Sequence, residues 1–396
     1  MKKWPLLIAI CILLASCGRV ELNELAIISG LGFDESSEGL SMSMQLVNPG
    51  ATAKSKGAND SGGTGGSVFT YTITGRNITE IMEKARNLFS RKVYFSHVSV
   101  ILIGEQLARK KGFLPIIDYL ERYYQIRDNI NMFVAKESSA KEILSVYLPI
   151  QNMPALSISR RIEIYGGSMG LERGIEIQDV VRWSFGSYID PVIPGIRKKI
   201  EMDASETSVL EQIDGDQKMF EMTGLAYFGD RKLSGWFTQE ESRGWALLTG
   251  KAAEFETSVD CPGYPGEQVG LRFKQTKGRI RVSSLEPLLY TAGISAKAVI
   301  QEVTCPVILE KGSGLKEIEK KAEQKLKEEM QKTFSKTVSS GSDPLGLGQL
   351  LYENHYSDWR RMKKQWEQLY KTAKLEPAVD ISIEQTGLRV KSVYEK

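Results

Sequence analysis

Read as a pattern of apolar and polar positions, the chain switches repeatedly between a period of two and a period near 3.6. Leu25–Phe33 (LAIISGLGF) is an apolar run of strand length in which Gly30 and Gly32 signal a close backbone approach or a bulge. Beyond the turn residues Asp34–Gly39, Met42, Met44 and Leu46 alternate with Ser41, Ser43 and Gln45, which predicts a half-buried strand and, with the first run, a hairpin. Val68–Thr74 reads as a strand, after which Ile78, Met82, Ala85, Leu88 and Phe89 set one apolar face on a helix from about Thr79 to Arg91. Val98–Ile103 (VSVILI) has the composition of a strand central in a sheet. Short helices are expected at Glu105–Lys111, Leu114–Tyr124 and Ala140–Tyr147, with a strand at Asn131–Ala135. A longer helix follows Pro154, and another covers Ile177–Phe185. Asp190–Arg197 (DPVIPGIR) is extended, because residues preceding proline are pushed out of the helical region.

The second half opens with Thr223–Phe228 and Leu233–Phe237 on either side of Gly229–Lys232, the layout of a short hairpin. Thr238 has Glu241 three residues later, a capping box starting a helix that carries Trp245, Leu247 and Leu248 and ends at Gly250. Strand patterns recur at Val269–Gln275, Arg279–Ser284 and Ile294–Val303. From Glu310 onward Ile318, Ala322, Leu326, Met330 and Phe334 form a single narrow stripe, and Glu317–Lys321, Glu323–Lys327 and Glu328–Lys332 are favourable pairs four apart. A second helix over about Gly348–Lys371 carries Leu350, Leu351, Trp359, Met362, Trp366 and Leu369, and Asp380–Ile383 and Gly387–Val393 are extended. Strands mixed with helices at these spacings give an α+β class, with mixed β-sheets and helices packed on them. The polar, acidic stretch Met202–Gln217 suggests a boundary, giving an N-terminal α/β domain over 17–200, a middle segment over 201–260 and a C-terminal domain over 261–396.

The first residues change the picture. Lys2 and Lys3 precede an apolar run from Trp4 to Ala15, too short for a stable span, and Leu14-Ala15-Ser16-Cys17 matches the bacterial lipobox. Residues 1–16 are therefore a leader, and the Cys17 thiol takes a diacylglyceryl group that anchors the chain to a membrane. Without Lys2 and Lys3 the 52 basic residues fall by two, against 49 acidic ones, so the mature chain is nearly neutral and gives no reason to expect nucleic acid. Gly57–Gly66 (GANDSGGTGG) lacks the Gly-Lys-Ser/Thr ending of a phosphate cradle and reads as a surface loop.

Candidate chemistry is sparse. Glu240, Glu241 and Arg243 could be paired carboxylates with a cation, but caps and solvated charges on the first turn of a helix explain them better. The two histidines, His97 and His355, are far apart, and Cys261 and Cys305 lack metal-ligand spacing, so no metal site, cofactor or catalytic residue is assigned. For the two cysteines, each followed by proline near a strand end, a disulfide and a pair of buried thiols both remain open. Trp236 and Arg243, with Glu240 and Glu241, form a candidate partner contact; the alternative puts Trp236 in the core and pairs Arg243 with Glu240.

Several of these stretches together carry a resemblance. The lipobox with Glu21-Leu22-Asn23-Glu24-Leu25 after it, Pro191-Val192-Ile193-Pro194, Thr223–Lys251 (TGLAYFGDRKLSGWFTQEESRGWALLTGK) and Asp343–Trp366 (DPLGLGQLLYENHYSDWRRMKKQW) resemble the Ger(x)C family, the lipoprotein C subunits of spore germinant receptors. The most specific parts are Glu240–Gly244 and Asp343–Gly346. One departure is Gly18-Arg19-Val20 after Cys17, where the family usually shows Cys-Trp-Asp. The resemblance implies an elongated body of three mixed α/β domains, lipid-anchored on the extracytoplasmic face of the spore inner membrane. It also implies a non-catalytic role beside two integral-membrane subunits in the response to nutrients. A cell-wall-acting lipoprotein hydrolase and a solute-binding lipoprotein are the competing readings. A hydrolase should show a carboxylate of raised pKa in a cleft, and a binding protein two lobes with a ligand site between them.

Overall fold

The computed structural model describes residues 24–48, 68–146, 153–185, 188–199, 220–307, 309 and 312–385. The expected leader 1–16, Cys17, the glycine-rich stretch Gly57–Gly66, Met202–Gln217 and Gly387–Val393 lie outside the described residues.

Among the described residues, two sheets organise the fold. In the first, β1 (Leu25–Ser36) and β2 (Gly39–Val47) form the expected hairpin, with Leu31 opposite Met44, and β3 (Val68–Gly75) extends it. A short β4 (Lys92–Tyr94) pairs with the beginning of β1. On its other side β1 runs parallel to β5 (Val100–Gly104), which runs parallel to β6 (Asn131–Ala135). All five residues of β5 are buried, as an uninterrupted apolar strand requires when both sheet faces are covered. The covering helices are α1 (Ile78–Leu88), α2 (Glu105–Lys110), α3 (Leu114–Arg122), α4 (Ala140–Leu144), α5 (Pro154–Tyr165) and α6 (Ile177–Phe185). Each lies within a few residues of its expected span.

The sheet continues with β7 (Val192–Lys198), parallel to β6, then β8 (Phe220–Gly229) and β9 (Lys232–Trp236), giving the order β3-β2-β1-β5-β6-β7-β8-β9. The break expected near residue 201 therefore falls between hydrogen-bonded neighbours, with Ile193 opposite Ala226. The segment 201–260 is not a layer of its own: β8 and β9 complete the first sheet, and its last residues form β10 of the second.

That second sheet contains β10 (Phe255–Asp260), β11 (Gln268–Phe273), β12 (Lys277–Leu285), β13 (Leu288–Val303) and β14 (Lys374–Gln385). Its strands alternate buried and exposed positions, as in β13, so one face is covered and the other meets solvent. The cover is a long helix (Gly312–Ser340), whose five stripe residues from Ile318 to Phe334 are all buried. Two of its glutamates, Glu323 and Glu319, accept the backbone N–H groups of Ile381 and Ile383 in β14. Cys261 and Cys305 are joined by a disulfide that ties the end of β10 to the end of β13 across the intervening β11.

The second helix is not continuous. Its place is taken by Leu347–Asn354, Tyr356–Met362, a short 3-10 turn and Trp366–Tyr370. The break sits at His355, whose backbone (φ −136°, ψ 51°) leaves the helical region. Turning there lets Trp359 bury itself against Tyr188 while Trp366 stacks toward Tyr370.

Candidate functional site at the seam between the sheets

Helix α7 (Gln239–Leu248) stands between the two sheets, and its first turn is built as the sequence predicts. Glu241 N–H donates to Thr238 Oγ1 at 3.2 Å, and Glu241 Oε2 accepts from Thr238 N–H at 2.8 Å. Ser242 Oγ accepts from Leu225 N–H at 3.0 Å, fixing the helix to β8. The facing element is α8 (Gly312–Ser340), and the two backbones meet at Gly244. A Cβ there would lie 2.6 Å from the Glu329 carbonyl oxygen, so no larger residue fits the approach.

Arg243 is 3% exposed and does not pair with Glu240. It reaches across to Glu329, itself 2% exposed: Nε donates to Oε2 at 2.8 Å and the guanidinium closes a second bond to Oε1. The guanidinium also lies 5.3 Å from the centre of the Phe255 ring. Two charges removed from water hold only where such a bidentate match compensates their desolvation. Arg243 is thus an interior residue, and the expectation that it meets a partner is corrected. Glu241 is the capping residue and pairs with Lys336 at 2.6 Å. Trp236 is half-buried, its Nε1 donating to Glu105 Oε1 at 3.1 Å beneath Lys136. Glu240 alone of the four points outward, with Lys332 at 4.0 Å.

The second signature block, Asp343–Gly346, completes the seam. Asp343 Oδ1 and Oδ2 accept the N–H groups of Leu347 and Gly348 at 2.9 and 2.7 Å, so its carboxylate caps the helix α9 (Leu347–Asn354). Its backbone is latched to the first sheet: Asp343 N–H donates to Asp190 Oδ2 at 2.7 Å, and Asp190 N–H donates to the Asp343 carbonyl at 3.0 Å. Trp245 Nε1 donates to the Pro344 carbonyl at 2.7 Å, and Gly346 takes φ +72° with Ile189 against it. Burial pushes the Asp343 carboxyl up to about 7 against the pull of its backbone donors, and burial likewise pushes Asp190 up to about 6.

Beside this latch lies a cleft of about 320 Å³ walled by Trp183, Trp245, Leu248, Ile280, Leu345 and Leu350, with Asp190 in its lining. Among the described residues, no group of His, Cys, Asp and Glu is placed to hold a metal ion. Sequence reasoning missed Glu329 and Asp190. Glu329 lies 86 residues from Arg243 and sits one position before Met330 of the apolar stripe, where an acidic residue reads as solvent-facing.

Two family profiles match the chain. The one described as the spore germination protein N-terminal domain covers residues 18–198, and the one described as spore germination B3/GerAC like, C-terminal, covers residues 223–387. The chain belongs to the Ger(x)C family of spore germination proteins. The two profiles flank the polar stretch where a boundary is expected, whereas the first sheet runs across it. Spore germination protein KC of Bacillus subtilis (strain 168) is 28% identical over 97% of this Ger(x)C chain and 95% of its own length. GerQC of Bacillus cereus is 21% identical over 98% of this chain and 99% of its own. The crystal structure of the GerBC protein shares the fold, with a TM-score of 0.54 at 17% identity, covering 90% of this chain and 97% of that one.

Proposed function

We propose that this Ger(x)C chain is a lipid-anchored, non-catalytic subunit of a nutrient germinant receptor. It sits on the extracytoplasmic face of the spore inner membrane and works with two integral-membrane partners. The observation that carries the reading is the end-to-end correspondence with spore germination proteins; the lipobox-like Leu14–Cys17 supports the anchor part of it. The seam adds support. Arg243, Glu241, Trp245 and Asp343 each bind another group of the same chain, as a scaffold holding its own two halves in register requires.

One observation favours the hydrolase reading, because Asp190 has a raised pKa and lines a cleft. Its Oδ2, however, is engaged by the Asp343 N–H, and both Asp343 oxygens are engaged by helix donors, so the pair acts as a latch.

Deleting the chain should give spores that form and resist heat normally yet do not germinate with that receptor's nutrient. They should still germinate when the downstream machinery is triggered without nutrient. Loss of both responses, reproduced by Asp190→Asn in a folded chain, would favour the hydrolase. An unchanged nutrient response with no redundant receptor present would remove the receptor assignment. Purification through a tag on this chain should bring down two polytopic membrane proteins in similar amounts.

A further inference from the structure

In the first sheet β1, β5, β6 and β7 are parallel, so their first residues share one edge, which we call the starting edge. The described chain enters there, at Leu25, and Leu25 is paired with Lys92 of β4. Helix α1 ends shortly before β4, and Tyr123, at the end of α3, packs against Phe95 just after β4. Several solvent-exposed aromatic and aliphatic residues lie at the same place. Leu88 ends α1 four residues before Lys92 and is 57% exposed. Tyr124, 84% exposed, follows α3; its neighbour Gln125 accepts from the Phe95 N–H, next to β4. Phe185 and Tyr188, 57% and 44% exposed, lead into β7.

Tyr188 extends the patch onto the second half of the molecule. Its ring lies 5.3 Å from Tyr352, which lies 5.6 Å from Tyr356. Tyr356 is 56% exposed and opens the helix α10 (Tyr356–Met362). Within α10, Arg360 lies four residues after Tyr356 on the same face, with Lys363 and Lys364 exposed just beyond. Arg91 and Lys92 are exposed beside Leu25 as well. Tyrosines at the rim of a surface with lysines and arginines around them are the composition that settles at a lipid–water boundary, the rings among the headgroups and the cations on anionic phosphates.

From this placement we infer that the starting edge of the first sheet, together with Tyr352, Tyr356 and the basic residues after them, is the face laid against the anionic phospholipid surface. The inference rests on the anchor reading for Cys17. The stretch from Cys17 to Leu25 spans at most about 27 Å when fully extended, so the tether holds this edge, and not the opposite one, within reach of the headgroups. Each cation brought to an anionic surface strengthens binding by several-fold at low salt, so the face adds orientation to an attachment that acyl chains already make durable.

The test uses the full lipidated chain in vesicles of one part phosphatidylglycerol to three of phosphatidylcholine. An environment-sensitive fluorophore is placed at Tyr124→Cys, at Tyr356→Cys and, on the opposite edge, at Ser37→Cys in the β1–β2 turn. Mass spectrometry of the intact chain first reports the diacylglyceryl group. With it present, the probes at 124 and 356 should shift to the blue and be quenched by lipid-borne quenchers, while the probe at 37 stays in water. Replacing Arg360, Lys363 and Lys364 together by Glu should cut quenching at 356 several-fold. Equal exposure at all three positions, or protection at 37 alone, overturns the inference while leaving the anchor intact. Protection at 124 and 356 that arises only when the membrane subunits are added overturns it in favour of a protein interface. A chain without lipid mass overturns the anchor reading, and the face must then bind the same vesicles unaided; failure to do so overturns it too.

Discussion

The seam and the starting edge use the same residue types to opposite ends. At the seam Arg243, Trp245 and Tyr370 are almost wholly buried, and their polar atoms meet Glu329, the Pro344 carbonyl and Thr337 within the chain. At the starting edge Tyr124, Tyr356, Arg360 and Lys364 face solvent. Tryptophan, tyrosine and arginine are favoured at binding hot spots because they combine apolar area with polar reach, and that same combination suits them to an interior seam between layers. Residue type alone therefore does not locate an interface. What separates the two regions is whether each polar group already has an intramolecular match.

The largest effect should follow from unmatching the seam. Glu329→Ala leaves Arg243 buried without its carboxylate and should cost about 3–5 kcal/mol in chemical denaturation; a cost below about 1 kcal/mol would mean the pair is not a structural element. Gly244→Ala should cost about 1–3 kcal/mol by forcing α7 off the Glu329 carbonyl, a shift visible in a lowered midpoint with an unchanged denaturant slope.

The Asp190–Asp343 latch predicts a pH dependence. Both carboxyls are held above their ordinary 3.8 in the fold, so between about pH 4 and their folded values the native chain binds more protons than the unfolded one. Stability contributed by the pair is therefore full below about pH 4 and is lost as pH rises through about 6 and about 7. Asp190→Asn keeps an oxygen to accept the Asp343 N–H and removes one buried charge. It should flatten that fall and raise stability at about pH 8 by on the order of 1–3 kcal/mol. A steeper fall in the variant would reverse the assignment. The smallest effect belongs to the edge: Tyr356→Ser should stay within about 0.5 kcal/mol of wild type in solution, any larger change meaning that the ring packs inward.

Much of this fold is legible in the sequence where one element settles its own environment. The stripe Ile318–Phe334 defines the buried face of α8, and Thr238 with Glu241 defines the start of α7. The alternation Phe255, Thr257, Val259 against Glu256, Ser258 and Asp260 carries a weak signal for β10, because the strand is short and its polar half is acidic. What the sequence does not carry is pairing at a distance. β8 joins β7 across a polar insertion, and the interrupted helix after Leu347 is broken at His355 by the demands of Trp359 and Trp366, with neither glycine nor proline at the break. The seam was half visible: Glu240–Gly244 and Asp343–Gly346 stand out as blocks, but local reasoning can offer Arg243 only Glu240. Its partner is chosen by the packing of two helices.

On the proposed function, Arg243 and Glu329 serve germination by holding α7 against α8 and so the two sheets together. Replacing the ion pair by a matched apolar pair, Arg243→Met with Glu329→Leu, tests it directly in spores, since a buried pair can often be exchanged for well-packed apolar groups at little cost. The nutrient germination rate, measured beside the amount of folded protein in spore membranes, should fall with each single change and return toward wild type in the double variant. A double variant that is present at wild-type level and folded, yet gives no nutrient response, would show that Arg243 or Glu329 does something the seam does not explain.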